Sequence, residues 1–402
     1  MQAMVERTEE YGTGLAELMN PEVARHPQAI YSMLHDASPV FRLDGVGVIV
    51  TTRSGVEQVV REPEVFSSST SAHDMKTARP LIPLQVDPPD HRKYRKLLDP
   101  LFAPQRMRAR EDQIRALVHE LIDGFAGERE IDFVQRFSTP FPSQVFLTLF
   151  GLPMDDLGMF LGMKDGVIRP DQVVGEPLGH PDTEGHQQRT ADSIYEYFER
   201  VIAARGDTRS EDLLSAFLDA EVDGDRLSHD EILDICFLFL IAGLDTVTAS
   251  LDCIFTRLAE HPDERRRLIE DPEAVPAIVE ELLRWETPVM GGARVATRDA
   301  EIDGFAVEAG EQVMVLYGAA NVDPAEFSNA MELDWDREAN RHLAFGGGIH
   351  RCLGSHLARI ELRVALTDWH RRIPEYSVAP GAELTFTPGI RTLAAFPMVL
   401  GS

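Results

Sequence analysis

The longest feature of this sequence is a helical pattern that runs from His229 to Glu260. Its uncharged apolar stretch, Ile235–Leu244, is about half of the ~20 residues that a helix needs to cross a bilayer. The N-terminus also lacks the apolar stretch of a secretory signal. The chain is therefore expected to be cytoplasmic, with no membrane anchor.

Helical periodicity also dominates the rest of the chain. Further helices are predicted at Pro27–His35, Ser54–Arg61, Asp90–Phe102, Arg106–Phe125, Thr190–Arg205, Asp263–Asp271, Val275–Glu286 and Gly354–Arg372. Strands are predicted at Val46–Thr52, Gln312–Tyr317, Leu384–Phe386 and Ala394–Val399. Two segments, Ser67–Leu84 and Asp165–His186, are expected to be irregular and either functional or mobile. The pattern predicts one large, mainly helical body with small β-sheets.

Composition narrows the function classes. With 402 residues, 44% of them hydrophobic, the chain resembles an ordinary globular protein rather than a disordered one. A net charge of −28 repels phosphate backbones and anionic lipid, so nucleic-acid binding is not expected. The three cysteines, Cys236, Cys253 and Cys352, are too few and too far apart for a disulfide framework, which favours a reducing compartment.

The most informative segment is Phe345–Gly354, which reads FGGGIHRCLG. Its three successive glycines allow a tight bend and the close approach of something flat. Cys352 then precedes a predicted helix, whose dipole and unpaired amides favour a thiolate. Such a thiolate is a metal ligand or a nucleophile, and the spacing excludes a structural zinc site. For a lone cysteine, a buried structural residue is the alternative interpretation.

Two further patterns carry chemistry. The long helix contains Ala242, Gly243, Asp245 and Thr246 in an apolar setting, where an unused acid is costly. Taken alone, an Asp-Thr pair is more often a solvated helix face or a local hydrogen bond to the backbone. The Glu281–Arg284 segment places opposite charges at i and i+3, which is usually a surface pair of small effect.

Together these patterns resemble the cytochrome P-450 family. Phe345–Gly354 is similar at every fixed position to the family's haem-ligand signature, Phe-Gly-x-Gly-x-His-x-Cys-x-Gly. Ala242–Thr246 resembles its Ala/Gly-Gly-x-Asp/Glu-Thr motif, and Glu281–Arg284 its Glu-x-x-Arg element. The resemblance covers almost the whole chain from about Asn20, with two departures. NVDP replaces the usual Asn-Arg-Asp-Pro at Asn321–Pro324, and AMELD stands at Ala330–Asp334 where the family tends to have Pro-x-x-Phe-Asp.

The resemblance implies a soluble bacterial-type haem-thiolate monooxygenase. Its fold would be mainly α with small β-sheets, a helical prism with a minor β-rich lobe. Residues 1–402 would form a single catalytic domain, with an N-terminal extension over about residues 1–20 and no fused reductase domain. The cofactor would be haem b, iron protoporphyrin IX.

The same resemblance assigns roles to residues. Cys352 would be the metal ligand, and Ala242 and Gly243 would leave room for dioxygen. Asp245 and Thr246 would be catalytic, Thr246 by hydrogen bonding and Asp245 by feeding protons. Glu281 and Arg284 would form a buried structural pair, with His342 or Arg341 as a third member. The remaining cofactor-binding positions, four of which are propionate anchors, would be His91, Arg95, Arg294, Phe345, Gly346, His350 and Gly354.

A mostly hydrophobic substrate is expected from the apolar residues of the segments that shape the pocket in this family. These residues are Leu238, Phe239, Ile241, Ala242, Val289, Met290 and Ile390. Gly291 and Gly292 would remove bulk near the haem edge and admit something wider than a small terpene. The expected substrate is a terpenoid, steroid, fatty acid or polyketide-like compound, and hydroxylation is the expected reaction. Ordinary core packing is the alternative for each of these side chains.

No Rossmann, flavin or iron–sulfur motif is found, so electrons are expected from a separate ferredoxin and its NAD(P)H-dependent reductase. The protein is expected to be a monomer. An acidic ferredoxin would need a local basic face on it, and the candidate residues are Arg92, Lys93, Lys96, Arg351, Arg359 and Arg363. The alternatives are a peroxide-using peroxygenase, which the Asp245–Thr246 pair disfavours, and a haem-binding sensor or carrier without turnover.

Overall fold

A computed structural model describes residues 18, 20–69, 75–77 and 79–401. The predicted N-terminal extension, about residues 1–20, lies almost wholly outside these residues. The helices, in chain order, are α1 Pro21–Ala24, α2 Gln28–Ala37, α3 Arg53–Arg61, α4 Asp90–Leu98, α5 Pro104–Arg108, α6 Glu111–Asp123, α7 Pro140–Phe150, α8 Leu157–Ile168, α9 Pro170–Val174, α10 Pro181–Arg205, α11 Leu213–Asp219, α12 His229–Glu260, α13 Pro262–Glu270, α14 Val275–Glu286, α15 Tyr317–Asn321 and α16 Ser355–Arg372.

Helix α12 is the centre of the helical body and contacts α7, α8, α10, α14 and α16. Ser228 starts it with a capping box, because its side chain accepts from the Glu231 amide while Glu231 accepts from the Ser228 amide. The helix is long and apolar enough to cross a membrane, but 78% of its apolar window is buried inside the protein. It is therefore packed as a core helix.

The small sheets are built from strands β1 Val40–Leu43, β2 Gly47–Val50, β3 Phe66–Ser67, β4 Glu130–Asp132, β5 Glu221–Val222, β6 Asp225–Arg226, β7 Gly292–Ala296, β8 Ala300–Ile302, β9 Phe305–Val307, β10 Gln312–Val315, β11 Tyr376–Val378 and β12 Pro397–Leu400. The largest sheet has the order β1-β2-β10-β7-β3, with β2 and β10 parallel and the other pairs antiparallel. In this sheet Val315 pairs with Gly292. Strands β11, β12 and β4 form a second sheet.

The structure departs from the sequence expectation in three places. Most of Asp165–His186 is helical, because Pro170 and Pro181 each occupy the first turn of a helix, where proline is favoured. The predicted helix Arg106–Phe125 is two helices, α5 and α6, interrupted around Ala109. The Leu384–Phe386 strand is reduced to a single bridge, between Phe386 and Leu393.

Other expectations agree with the structure. The described part of Ser67–Leu84 contains no helix. The three cysteines, Cys236, Cys253 and Cys352, are free. Helices α7 and α11 were not predicted, because buried helices that are apolar on most sides give little periodic signal.

Candidate functional site

The cysteine loop turns at two glycines that have left-handed backbone angles, Gly346 with φ 66° and Gly348 with φ 62°. A Cβ on Gly348 would lie 1.8 Å from the carbonyl oxygen of Val60 in α3, so only glycine fits there. The Cys352 amide closes the loop by donating to the Phe345 carbonyl at 2.9 Å. Gly348 thus seats the loop against α3, which differs from the expectation that the glycines serve a flat ligand.

Cys352 lies three residues before α16 and is exposed. Burial nevertheless raises the pKa of its thiol, against smaller lowering effects of the Gly354 amide and nearby arginines. Both observations hold when the sulfur borders a cavity inside the protein. Without a bound metal ion, desolvation outweighs the effect of the helix on the thiol pKa, and a metal ion on the sulfur would reverse the shift and favour the predicted thiolate.

Two predicted anchors, His91 and His350, lie against each other with ring centroids 4.5 Å apart. The Nε2 atom of each is buried and has no hydrogen-bond partner among the described residues. Burial lowers the pKa of His91 to about 4 and that of His350 to about 3, with further lowering by Arg95 and Arg294 respectively. We call His91, Arg95, Arg294 and His350 the anchor cluster. At neutral pH both imidazole rings are therefore uncharged, and the positive charge of the cluster comes from its two arginines.

Arg294 is 8% exposed and forms no ion pair among the described residues; its guanidinium donates to the Ala293 carbonyl at 2.7 Å. Arg95 donates to the Arg351 carbonyl at 3.0 Å and pairs with Asp99 at 2.8 Å. The cluster thus combines a buried cation with two unpartnered imidazole nitrogens. Such a donor set fits an anion such as the propionates of haem.

The predicted oxygen-side residues are on α12. Ala242 is exposed in the middle of this buried helix, which places it at a cavity. The Thr246 hydroxyl donates to the Ala242 carbonyl at 2.9 Å. A Cβ on Gly243 would lie 3.2 Å from the Phe146 ring in α7. Gly243 is therefore needed for packing between helices, in addition to any role next to oxygen.

Asp245 is 1% exposed and is held by two cations. Lys164 Nζ lies 3.1 Å from Oδ1, and Arg169 Nη2 lies 2.5 Å from Oδ2. Burial alone would raise the pKa of Asp245, but Lys164 and Arg169 hold it below its ordinary value. Sequence reasoning missed both cations, because they lie in and beside the segment that was predicted to be irregular.

Arg169 also donates to the Thr392 hydroxyl at 2.9 Å. Thr392 belongs to the C-terminal turn that carries Ile390, and Ile390 forms a bridge to Val289. The Met290 amide donates to the Gly389 carbonyl at 3.0 Å. The structure thus brings three predicted pocket residues together and links their turn to Asp245 through Arg169.

The other predicted pocket residues divide into two sets. Leu238 and Ile241 are buried on α12. Phe239 stacks on Phe102 at 5.1 Å and contacts Phe217 at 5.7 Å, as an ordinary core residue does.

Gly291 and Gly292 do not simply widen the pocket. A Cβ on Gly291 would lie 2.5 Å from the Val315 carbonyl oxygen. On Gly292 a Cβ would lie 3.2 Å from the Tyr317 hydroxyl. Both glycines therefore accommodate neighbours of β7, which differs from the expectation that they admit a wider substrate.

Glu281 and Arg284 are 1% and 0% exposed and lie 2.7 Å apart (Oε1 to Nη2). The third member is Arg337, whose Nε donates to Glu281 at 3.0 Å. The expectation of His342 or Arg341 is wrong, since they pair with Glu280 and Glu326.

Arg284 also ties the helix to the loop that departs from the family pattern. It donates to the Asn321 carbonyl at 2.8 Å. The Asn321 side chain accepts from the Leu343 amide at 2.6 Å, close to the cysteine loop. The replacement at Val322 leaves both contacts in place because it does not change Asn321.

Four of the predicted docking cations already have acidic partners: Lys93 with Glu231, Lys96 with Asp223, Arg359 with Glu280 and Arg363 with Glu111. In the described part of the chain, Arg92 and Arg351 have no such partner, and neither do Arg106 and Arg108.

No group of three or more His, Cys, Asp or Glu that could hold a metal ion occurs among the residues placed by the structure.

Comparison with known proteins agrees with this geometry. The family model "Cytochrome P450" matches residues 25–372. Steroid C26-monooxygenase of Mycobacterium tuberculosis is 34% identical over 92% of this chain and 93% of its own length. Mycinamicin IV hydroxylase/epoxidase of Micromonospora griseorubida is 32% identical over 90% and 91%. The crystal structure of CYP109E1 from Bacillus megaterium with testosterone matches with a TM-score of 0.85 and 27% identity, over 95% of this chain and all of that one.

Proposed function

This chain belongs to the cytochrome P450 family, whose cofactor is haem b held by a cysteine thiolate, and on that premise we propose its reaction, partners and site. The chain inserts one oxygen atom of O2 into a mostly hydrophobic molecule, as a cytoplasmic monomer supplied with electrons by a separate ferredoxin. One observation carries this proposal. The glycine-turned loop leaves Cys352 exposed and brings His350 against His91, and neither imidazole Nε2 has a partner in the described part of the chain.

Cys352 would hold the iron, and Arg294 with His91 and His350 would bind the propionates. The Gly354 amide faces the Cys352 sulfur and would stabilise negative charge on it, while Phe345 and Gly346 shape the loop. When bound, haem supplies the activation of oxygen. The protein's own contribution is then to orient the substrate, exclude water and deliver protons.

Proton delivery falls to Thr246 and Asp245. The Thr246 hydroxyl can turn from the Ala242 carbonyl to hold a proton at Oγ1 beside Ala242 and Gly243. Asp245 cannot pass a proton inward while Lys164 and Arg169 occupy its oxygens. The carboxylate must therefore exchange at least one of these partners in each cycle.

The substrate is proposed to be a large apolar molecule of the size of a steroid or macrolide. Support comes from the apolar side chains of Leu238, Ile241, Val289, Met290 and Ile390, and from the names of the relatives. Binding titrations with steroids and macrolides, followed by the shift of the haem Soret band, test this substrate class. Binding of short fatty acids alone would contradict it.

The ferredoxin is proposed to dock where cations lack acidic partners. Burial lowers the pKa of His356, and Arg359, Arg351 and Arg108 lower it further, which places Arg108 and Arg351 near the start of α16. The Arg108→Glu variant should slow reduction by an acidic ferredoxin at low salt by roughly three- to tenfold. Arg298→Glu is the matched control, since it adds the same charge on the exposed β7–β8 turn. Equal rates in both variants would contradict this docking face.

The central test is the absorption spectrum of the reduced protein with carbon monoxide. A strongly red-shifted Soret band in the wild type, lost in Cys352→Ser, is the expected result. A wild-type protein without haem would overturn the proposal. A band at the position of histidine-ligated haem would overturn the assignment of Cys352.

A peroxide-driven reaction is the second candidate. The observation that favours it is the pairing of Asp245 with two cations, because peroxide already carries the reduced oxygen and needs less proton delivery. Turnover with hydrogen peroxide at or above the rate with ferredoxin and NAD(P)H would establish this alternative. Ligand-dependent consumption of NAD(P)H would exclude a sensor or carrier without turnover.

A further inference from the structure

Tyr317 starts α15 directly after β10 and is 9% exposed. Its hydroxyl lies beside two glycines of the haem region. A Cβ on Gly292 would be 3.2 Å from this oxygen, and a Cβ on Gly346 would be 3.4 Å from it. Gly346 belongs to the cysteine loop, and Gly292 is two residues before Arg294. The phenol therefore reaches the border between β7 and the cysteine loop.

Arg294 is the charged neighbour of this hydroxyl. Burial raises the pKa of Tyr317, while the charge of Arg294 and a hydrogen bond from it act in the opposite direction. Gly292 and Arg294 are two residues apart on β7, so the Arg294 side chain lies on the strand face beside which the hydroxyl lies. An arginine can only donate hydrogen bonds, so the Tyr317 oxygen would be the acceptor between these two side chains. The hydroxyl's own proton remains available, and the described residues provide no acceptor for it.

The same region has a surplus of donors. Arg294 is buried with no carboxylate partner among the residues that the structure places, and His91 and His350 each have an unpartnered Nε2. A buried guanidinium and several unused donors are costly unless an anion accepts from them. An anion bound by Arg294 would also lie within reach of the Tyr317 proton.

We infer that Tyr317 is a positioning residue for the cofactor: its hydroxyl accepts from Arg294 and donates to the propionate that Arg294 binds. This inference rests on the haem of the proposed function. It assigns two effects to one hydroxyl, since the phenol orients the guanidinium and adds a neutral donor to the propionate. It also explains why β7 carries glycine at position 292, because any side chain there would displace the phenol.

Tyr317→Phe tests the inference, since it removes the hydroxyl and keeps the ring. We expect transfer of haem to apomyoglobin to be roughly tenfold faster or more, which is the lower end of the range for one lost hydrogen bond to a charged group. The haem reduction potential should become more negative, because the propionate charge is less neutralised. A merely structural role would lower the unfolding temperature of the haem-free protein without moving the potential.

Tyr31→Phe is the matched control. Tyr31 is also a buried tyrosine, it packs against Gly318 in the same short helix, and its hydroxyl has no partner in the described part of the chain. We expect wild-type haem transfer and potential in this variant. Haem transfer and potential in Tyr317→Phe that match Tyr31→Phe would overturn the inference. A wild-type protein that binds no haem would instead count against the proposed function.

Discussion

Two buried carboxylates of this protein are paired with arginine, and they differ in where the partner comes from. Glu281 meets Arg284 one turn along the same helix, with Arg337 as a second cation. Asp245 meets Arg169, which joins α8 to α9 and lies 76 residues away in sequence, with Lys164 of α8 as its second cation. Burial and charge are similar at both sites, so the amount of ionic pairing does not distinguish a structural site from a catalytic one.

The surroundings distinguish them. The Arg284 guanidinium is fully used, because it also donates to the backbone carbonyls of Asn321, Ala330 and Glu332. Arg169 donates instead to side chains, those of Asp165, Asp245 and Thr392. Side-chain partners can exchange without unfolding the backbone, whereas carbonyl partners cannot. The ion pair of Glu281 with Arg284 therefore stays formed, whereas Asp245 can exchange its cationic partners.

The largest effect is expected for Glu281→Gln, which should lower the free energy of unfolding. This change leaves Arg284 and Arg337 buried without a full counter-charge, which costs about 3–5 kcal/mol. Urea unfolding and haem content of the purified protein measure the loss. Asp263→Asn is the matched control, because Asp263 pairs with Arg266 at the same i, i+3 spacing on the exposed surface and should cost less than about 0.5 kcal/mol. Similar losses in both variants would contradict the structural role of Glu281.

Asp245→Asn should affect turnover more than folding. With the proton-feeding carboxylate removed, ferredoxin-driven product formation should fall roughly 100-fold, the range for loss of one acid–base group. Haem content and the carbon monoxide spectrum should remain those of the wild type. Product formation in normal and heavy water measures the effect, and a larger solvent isotope effect is expected. Unchanged turnover would remove Asp245 from the mechanism.

Asp252 on α12 is a third buried acid, and among the residues that the structure describes it accepts hydrogen bonds only from Ser138 and the Leu393 amide. Burial raises its pKa to about 7. A folded-state pKa above the unfolded value means that stability decreases as pH rises between about 4 and 7. Asp252→Asn should therefore gain stability relative to the wild type between pH 5 and pH 8, by about 1–3 kcal/mol.

The control for this prediction is Asp245→Asn, where the sign reverses. The pKa of Asp245 is lowered, so its contribution is present at neutral pH and lost as pH falls through the folded pKa. Chemical unfolding at pH 5, 6.5 and 8 compares the two variants, and the stability difference for Asp245→Asn should be nearly constant there, because its folded and unfolded pKa values both lie below pH 5. A stability difference for Asp252→Asn that is constant across this range would contradict the raised pKa.

The smallest effect is expected for Lys164→Gln. Lys164 helps to hold the pKa of Asp245 low, so its removal should raise that pKa and bring it closer to neutral pH. Arg169 remains in place, so ferredoxin-driven turnover should rise by no more than about threefold. The pH profile of turnover should move to higher pH. A profile that coincides with the wild type would show that Asp245 does not exchange its cationic partners during the cycle.

Much of the fold and part of the site could be predicted from sequence. The Phe345–Gly354 signature, the long helix from His229 to Glu260 and the i, i+3 spacing of Glu281 and Arg284 all depend on neighbours within a few residues. Chain geometry fixes such contacts whatever the rest of the protein does. The sequence prediction was least accurate in Asp165–His186, which was expected to be irregular. Most of this segment is helical, and Pro170 and Pro181 start its helices.

Tertiary structure alone decided the partners and the electrostatics. It chose Arg337 over His342, gave Lys164 and Arg169 to Asp245, and lowered the pKa of His91 and His350. These outcomes depend on which distant segments pack together and on how much water they exclude. The sequence by itself determined the local chemistry, whereas burial set its charge state, because desolvation and ion pairing depend on the whole fold.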